Sequence, residues 1–295
     1  FGIDYSKDNI ENKINGACAR YLNKKKDIRR LPYCLFVHGN SSRNVRNTDA
    51  IYSEKYKLIT RAIFGDGPKD ESLIGKGVFN NYGKATNGFT ITSCQFALHY
   101  FFENLIILQQ FLRNVCECTK VNGYFIATCY DGIKLFNMLE KYKKGESILI
   151  NKNGKKVWEV EKMYDYLEFK NDSSSVGYKI SVYQDSINKS ADEYLVNSDY
   201  LIRIMENFGF VLLNDNECKD MNIPGSTNNF EMLFNKMKDE IRDGYINEND
   251  LRSSVDMKDY EKQISFLNRY YIFKKVREVN AENVIIDDKY ISQSE

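Results

Sequence analysis

The chain has 295 residues, 42 Lys and Arg against 41 Asp and Glu for a formal net charge of +1, and 42% hydrophobic residues. That length accommodates one large α/β domain, and the near-zero charge excludes nucleic-acid binding through overall basicity, leaving only a local patch to supply it. No apolar run approaches membrane-spanning length, no signal peptide opens the chain, and seven scattered cysteines beside two histidines argue for reduced thiols in an intracellular compartment rather than a zinc site.

Gly2-Ile3-Asp4 reads as the tail of a strand that ends in an acid, followed by a loop and helix to Arg20 with Ser6 as the N-cap. An acid so placed in a nucleotide-binding sheet accepts both ribose hydroxyls, although the same acid also serves as a simple helix cap. Such an acid ordinarily lies about twenty residues after a glycine-rich loop. Here the chain opens three residues before Asp4, and no Gly-x-Gly follows a strand downstream. Arg20, Lys24, Lys25, Lys26, Arg29 and Arg30 form the densest basic cluster, either a solvated helix face or a phosphate-contacting patch. Residues 33–37 read as a short strand that ends in the polar turn His38-Gly39-Asn40-Ser41-Ser42.

The pattern predicts a helix over 48–63 and a glycine-rich surface loop over 65–88. Gly88 to Cys94 is apolar and β-branched and reads as a buried strand. Gln95, Phe96, His99 and Tyr100 follow at its carboxyl end, where open α/β sheets bind ligands. Leu105, Leu108, Leu112 and Val115 then recur at helical spacing. A turn at Val121-Asn122-Gly123, a strand over 124–129, the turn Tyr130-Asp131-Gly132 and a helix over 133–142 come next. From 147 to 183 the pattern becomes strand-like alternation. Glu193 to Val196 leads into a helix capped by Ser198 and terminated by Gly209, with strands at 210–213 and 269–276 and a helix at 230–241. Beyond residue 278 the polar tail is expected to be disordered. Strand–helix alternation ending in two late strands predicts an α/β sheet closed by an antiparallel pair.

Ser93-Cys94-Gln95-Phe96-Ala97-Leu98-His99-Tyr100 resembles the S-x-Q-F-x-x-H-Y motif of mRNA cap guanine-N7 methyltransferases. Gly2-Ile3-Asp4, Ala19-Arg20-Tyr21, Asn122 to Thr128, Glu193 to Val196 and Tyr271 to Lys275 resemble further motifs of that family in the same order. The resemblance covers residues 1–277 and leaves 278–295 as a tail. It implies a Rossmann-like class I methyltransferase, a mostly parallel sheet with a C-terminal antiparallel pair, using S-adenosylmethionine (SAM) and no metal. The implied reaction is methylation of N7 of the guanosine that caps mRNA.

By the same resemblance, Asp4 holds the SAM ribose. Asn40 and Ser41 sit at the adenine, where the family commonly has Asp-Ser, and Asn40 would meet the exocyclic amine through its carbonyl oxygen. Gln95, Phe96 and Tyr100 line the methionine end, His99 and Glu193 read guanine, Arg20 and Lys24 meet the cap phosphates, and Tyr130 joins the cap contacts. The residue types suit the chemistry. Guanine N7 has a lone pair and no proton, so alignment and a suitable field suffice without a general base.

The Tyr130-Asp131-Gly132 turn, the insert after Ser42 and Asn15 to Cys18 look most like the large-DNA-virus branch. There the domain is usually the C-terminal part of a capping enzyme. That implies as partners a capped RNA 5′ end, an upstream triphosphatase and guanylyltransferase, and in some members a stimulatory subunit. It also implies action away from membranes, in the virion or host cytoplasm. Two departures stand out. The family's first strand and glycine-rich loop are absent, which implies a fragment of a longer polypeptide, a companion chain, or a catalytically silent cap- or RNA-binding subunit. The family's cap-stacking tyrosine aligns with Asn268, with Phe266 or Tyr270 as substitutes.

Overall fold

The computed structural model describes residues 1–288. In chain order the elements are β1 (Gly2–Asp4), α1 (Lys7–Glu11), α2 (Ala17–Asp27), β2 (Phe36–His38), α3 (Glu54–Phe64), α4 (Glu71–Phe79) and β3 (Phe89–Gln95). A 3-10 helix (Leu98–Glu103), α5 (Leu105–Cys118), β4 (Thr119–Tyr130), α6 (Gly132–Met138), β5 (Ser147–Lys152), β6 (Lys155–Lys162), β7 (Lys179–Gln184) and β8 (Lys189–Tyr194) follow. The chain closes with α7 (Ser198–Asn207), β9 (Phe210–Leu212), α8 (Asp215–Asp220), β10 (Thr227–Asn229), α9 (Phe230–Arg242), α10 (Asp259–Ser265) and β11 (Asn268–Lys275). Two compact units result: residues 1–90 with 109–120, and residues 91–108 with the chain from Val121 onward.

In the first unit β1 and β2 pair in parallel, with Asp4 opposite His38. Ser6 caps α1 by accepting the Asn9 N–H, and Ser53 caps α3 by accepting that of Tyr56. The apolar face of α3 supplies Ile59, Ala62, Ile63 and Phe64 to a core with Val37, Ile74 and Val78. Gly65, left-handed at φ 88°, ends α3. The stretch 65–88, expected to be a surface loop, contains α4. Asp70 caps this helix, and its Ile74 and Val78 are buried. Its glycines obscured that spacing; Gly75, at φ 78°, kinks the helix without ending it.

The second unit holds two sheets. In the first, the order is β10-β11-β4-β3, with β9 also on β11. Thr92 Oγ1 donates to the Tyr124 carbonyl and the Phe96 N–H to that of Thr128, so β3 and β4 run parallel. β11 is antiparallel to β4, β9 and β10, as the late strands predicted. β3, expected to be buried, is the end strand of this sheet, and Ile91 is 55% exposed. No turn forms at Asn122. β4 runs through it, with Asn122 in the left-handed region at φ 62°, a conformation that asparagine tolerates.

The second sheet is the antiparallel meander β5-β6-β7-β8. Its inner face buries Trp158, Val160, Ile180 and Val182 against Tyr130, Leu135 and Leu195. The cap of α7 is Asn197, which accepts from Asp199 and Tyr200, rather than Ser198. Residues 278–288, expected to be disordered, pack against the fold instead. Ile286 is buried, its carbonyl accepts from the Tyr200 hydroxyl at 2.6 Å, and Asp288 pairs with Arg203 at 3.0 Å. An apolar anchor and one ion pair hold a segment whose polarity suggested otherwise. Residues 289–295 lie outside the described residues.

Candidate functional site

The first unit brings Asp4 and Asn40 to the same end of the β1–β2 pair. A parallel pair presents its carboxyl ends together, and Asn40 follows β2 by two residues. The Asp4 carboxylate accepts the Ser6 N–H at 2.7 Å, and the Asn9 amide donates to both of its oxygens at 3.2 Å. These bonds orient the carboxylate and fill three of its roughly four lone-pair sites, which leaves Oδ2 one for a ribose hydroxyl. Asn40 departs from expectation. Its Oδ1 accepts the Ser42 N–H at 2.9 Å and the Ser42 hydroxyl at 2.7 Å. A backbone N–H can only donate, so the amide orientation is determined and the carbonyl oxygen is already committed. Asn40 is therefore left with its NH2 group for a ligand, and the expected contact from its carbonyl to the exocyclic amine does not fit.

The loop carrying Asn40 and Ser41 is clamped by a residue the sequence reading did not single out. Asn114 of α5 is buried, donates to the carbonyls of Ser41 and Arg43 at 2.8 and 2.7 Å, and accepts the Val45 N–H at 2.9 Å. Nothing in the sequence distinguishes it from other helical asparagines, because its partners lie about seventy residues away. Arg20 and Lys24 are exposed on α2, which buries no residue, so both readings of the basic cluster remain compatible with its setting.

In the second unit, His99 and Glu193 meet. His99 sits on the 3-10 helix after β3 and Glu193 near the end of β8, with His99 Nε2 3.5 Å from Glu193 Oε2. Both are about 5% exposed, and neither ring nitrogen nor that carboxylate oxygen has a hydrogen-bond partner among the described residues. Burial drives the His99 pKa down to about 3 and that of Glu193 up to about 7. The imidazole is thus neutral at physiological pH and the two side chains do not form an ion pair, in spite of their approach. Unpaired buried polar groups are costly unless a ligand completes them. Tyr100, 44% exposed, packs edge-on against His99 at 4.2 Å and lines with Glu193 a pocket of about 450 Å³.

The other expected residues have different settings. The Gln95 amide bonds to Ser93, Ile126 and Thr128, which ties the end of β3 to β4. Phe96 is held at φ 51°, a costly conformation for an aromatic residue, by its N–H bonds to Thr128, and its ring is half exposed. Tyr130 is buried behind the pocket. Its hydroxyl accepts from Trp158 and from Gln184, and Gln184 in turn lines the pocket. Of the suggested stacking residues, Asn268 and Tyr270 are buried, and Phe266 packs on Phe234. Among the described residues no three His, Cys, Asp or Glu side chains are grouped to hold a metal, and no helix is long and apolar enough to cross a membrane.

The first unit carries a parallel strand pair ending in an acid and a polar turn, and the second a mixed sheet closed by antiparallel strands, the α/β elements of a Rossmann-like class. The family model for the mRNA (guanine-N(7))-methyltransferase domain matches residues 61–276. The chain belongs to that family, whose members transfer a methyl group from SAM to N7 of the cap guanine. It is 27% identical over 95% of its length to a probable mRNA-capping enzyme of Acanthamoeba polyphaga mimivirus, and 43% identical over 17% of its length to an mRNA cap guanine-N(7) methyltransferase of Drosophila melanogaster. It spans 24% and 12% of the lengths of those two relatives. A SAM-dependent methyltransferase of Clostridium acetobutylicum ATCC 824 superposes with a TM-score of 0.40 at 10% identity, over 92% of this chain and 73% of that chain.

Proposed function

We propose that residues 1–277 form the domain of a viral mRNA-capping polypeptide that methylates N7 of the cap guanosine. The observation that carries this reading is the buried His99–Glu193 pair, with both ring nitrogens and Glu193 Oε2 unpartnered among the described residues and Glu193 lining a pocket. Guanine offers N1–H and a 2-amino group as adjacent donors, and the ionised Glu193 carboxylate has two acceptor oxygens for them. A neutral His99 has a ring N–H to donate to O6. Adenine presents no such edge. The same carboxylate favours the positive charge that N7 methylation places on the base.

SAM supplies an electrophilic methyl group when bound. In the first unit Asp4 would hold its ribose, and Ser41 and the NH2 of Asn40 would face its adenine; for the methyl-bearing end the family motif proposes Phe96 and Tyr100. Arg20 and Lys24 would meet the cap phosphates. The chain's own work is orientation, because N7 has no proton to remove. The mimivirus relative's name, and the 24% of its length that this chain spans, support the reading as one part of a larger capping enzyme; upstream capping activities as partners and action inside the host cell are part of the same proposal.

The test is incubation of the full polypeptide carrying this chain with GpppA-capped RNA and labelled SAM, followed by nuclease digestion. The expected product is the N7-methylated cap dinucleotide; label at another position, or none, would refute the proposal.

A further inference from the structure

The pocket beside Glu193 extends beyond the guanine edge that Glu193 would hold, and its outer part is built by the β7–β8 hairpin. Strand register orders that wall. Glu193 lies opposite Ile180, Ala191 opposite Val182 and Lys189 opposite Gln184. Directly paired residues project to the same side, so Glu193, Ala191 and Lys189 form one row on the inner face of the meander. The row passes from a buried carboxylate through a small apolar side chain to an exposed ammonium. Four residues of strand separate its ends by about 14 Å, more than a purine fills. Glu193, Gln184, Ile187 and Lys189 all line this one cavity.

The hairpin's acids do not neutralise Lys189. Asp185 is held by Lys155 at 2.9 Å, and Asp192 by Lys179 at 2.5 Å. Among the described residues Lys189 itself forms no ion pair. A cation is thus left uncompensated at the mouth of a pocket whose floor is a buried carboxylate with one unpartnered oxygen. What continues outward from a cap guanosine is ribose and phosphate.

We infer that Lys189 is a phosphate-binding residue for the capped RNA, forming an outer subsite of the guanine pocket. The inference rests on the guanine-reading role proposed for Glu193. The subsite lies on the meander sheet, apart in sequence from the basic helix α2.

The experiment compares Lys189→Glu, Lys189→Arg and wild type in the full polypeptide, by anisotropy of a 3′-labelled GpppA-capped oligonucleotide across a salt series, with guanosine and GTP as competitors. Lys189→Glu is expected to weaken capped-RNA binding about tenfold and to flatten the slope of log K against log salt by about 0.7, the contribution of one single-strand phosphate contact. Guanosine competition should stay unchanged, and Lys189→Arg should retain wild-type binding. A loss shared by GTP assigns the contact to the cap triphosphate; a loss confined to the oligonucleotide assigns it to an internucleotide phosphate. Wild-type binding with an unaltered Lys189→Glu affinity and slope overturns this inference alone, and so does an equal loss for guanosine. A wild type that binds no capped RNA removes the guanine-reading role as well.

Discussion

Glu193→Gln separates the cost of the carboxylate in the free protein from its value to the ligand. Burial raises the Glu193 pKa from 4.5 to about 7. Once ionised, a carboxyl so shifted costs the folded state about 3 kcal/mol. For an acid whose folded pKa lies above its unfolded one, stability is intact below pH 4.5, is lost as pH rises toward 7, and stays lost above. Glutamine has the same size and does not titrate. Its own desolvation shifts the variant equally at every pH, so the change across pH isolates the carboxyl. The variant should therefore gain about 3 kcal/mol on wild type between pH 4.5 and 8, or roughly 5 °C in Tm for a chain of this length. His99, with its pKa near 3, titrates below that window. Thermal and urea unfolding at half-unit pH steps measures the gap.

The same substitution should weaken binding of a guanosine cap about tenfold to a hundredfold at pH 8, because it leaves one buried donor facing a donor, at roughly 1–3 kcal/mol. An inosine cap, lacking the 2-amino group, should lose less. Wild-type cap affinity should fall as pH drops below about 7, because the ionised carboxylate is the form that accepts both guanine donors. A gap that stays flat with pH would show that Glu193 is not desolvated in the free protein. Equal losses for both caps, with SAM affinity falling in step, would show it to be structural.

Asn40→Asp should keep the turn, since an aspartate oxygen can still accept the Ser42 N–H, and should add a second acceptor for the adenine amine; SAM affinity measured by calorimetry should rise about tenfold, a charged hydrogen bond being worth about 1.5–3 kcal/mol. Asp4→Ala should weaken SAM binding by a similar or larger factor in the same calorimetric assay while leaving capped-RNA affinity unchanged; equal losses would indicate unfolding instead. Gly132→Ala should destabilise the fold by about 3 kcal/mol in urea titration, at or beyond the upper end for overpacking, because a Cβ there would stand 2.2 Å from the Val196 carbonyl oxygen and 2.6 Å from its nitrogen.

Much of the fold was legible in the chain. The apolar spacing of α5 and α9, the strand ending at Asp4 and the closing antiparallel strands all follow from local periodicity and capping, which depend on neighbours within a few residues. The ordered motifs likewise pointed to the family before any tertiary contact was known. What local pattern could not supply is the state of each side chain. Asn40 reads as an acceptor or a donor with equal ease until the Ser42 N–H occupies its oxygen. Asn114 is an unremarkable helical residue until the loop from Ser41 to Val45 folds onto it.

Other outcomes were decided by packing alone. Residues 278–288 are polar enough to be left in solvent, yet Ile286 and Asp288 find a site made by α7. Glycine-rich 65–88 hides a helix because Ile74 and Val78 have a core to enter. His99 and Glu193 are separated by ninety-four positions in the chain. Their shifted ionisation comes from burial, which no sequence window records; it exists only once the strand end and the meander have enclosed them. Composition and periodicity thus determine which segments form strands and helices, since those choices are settled by near neighbours. Tertiary structure decides which polar atoms remain unpaired, because that depends on groups brought together from distant parts of the chain.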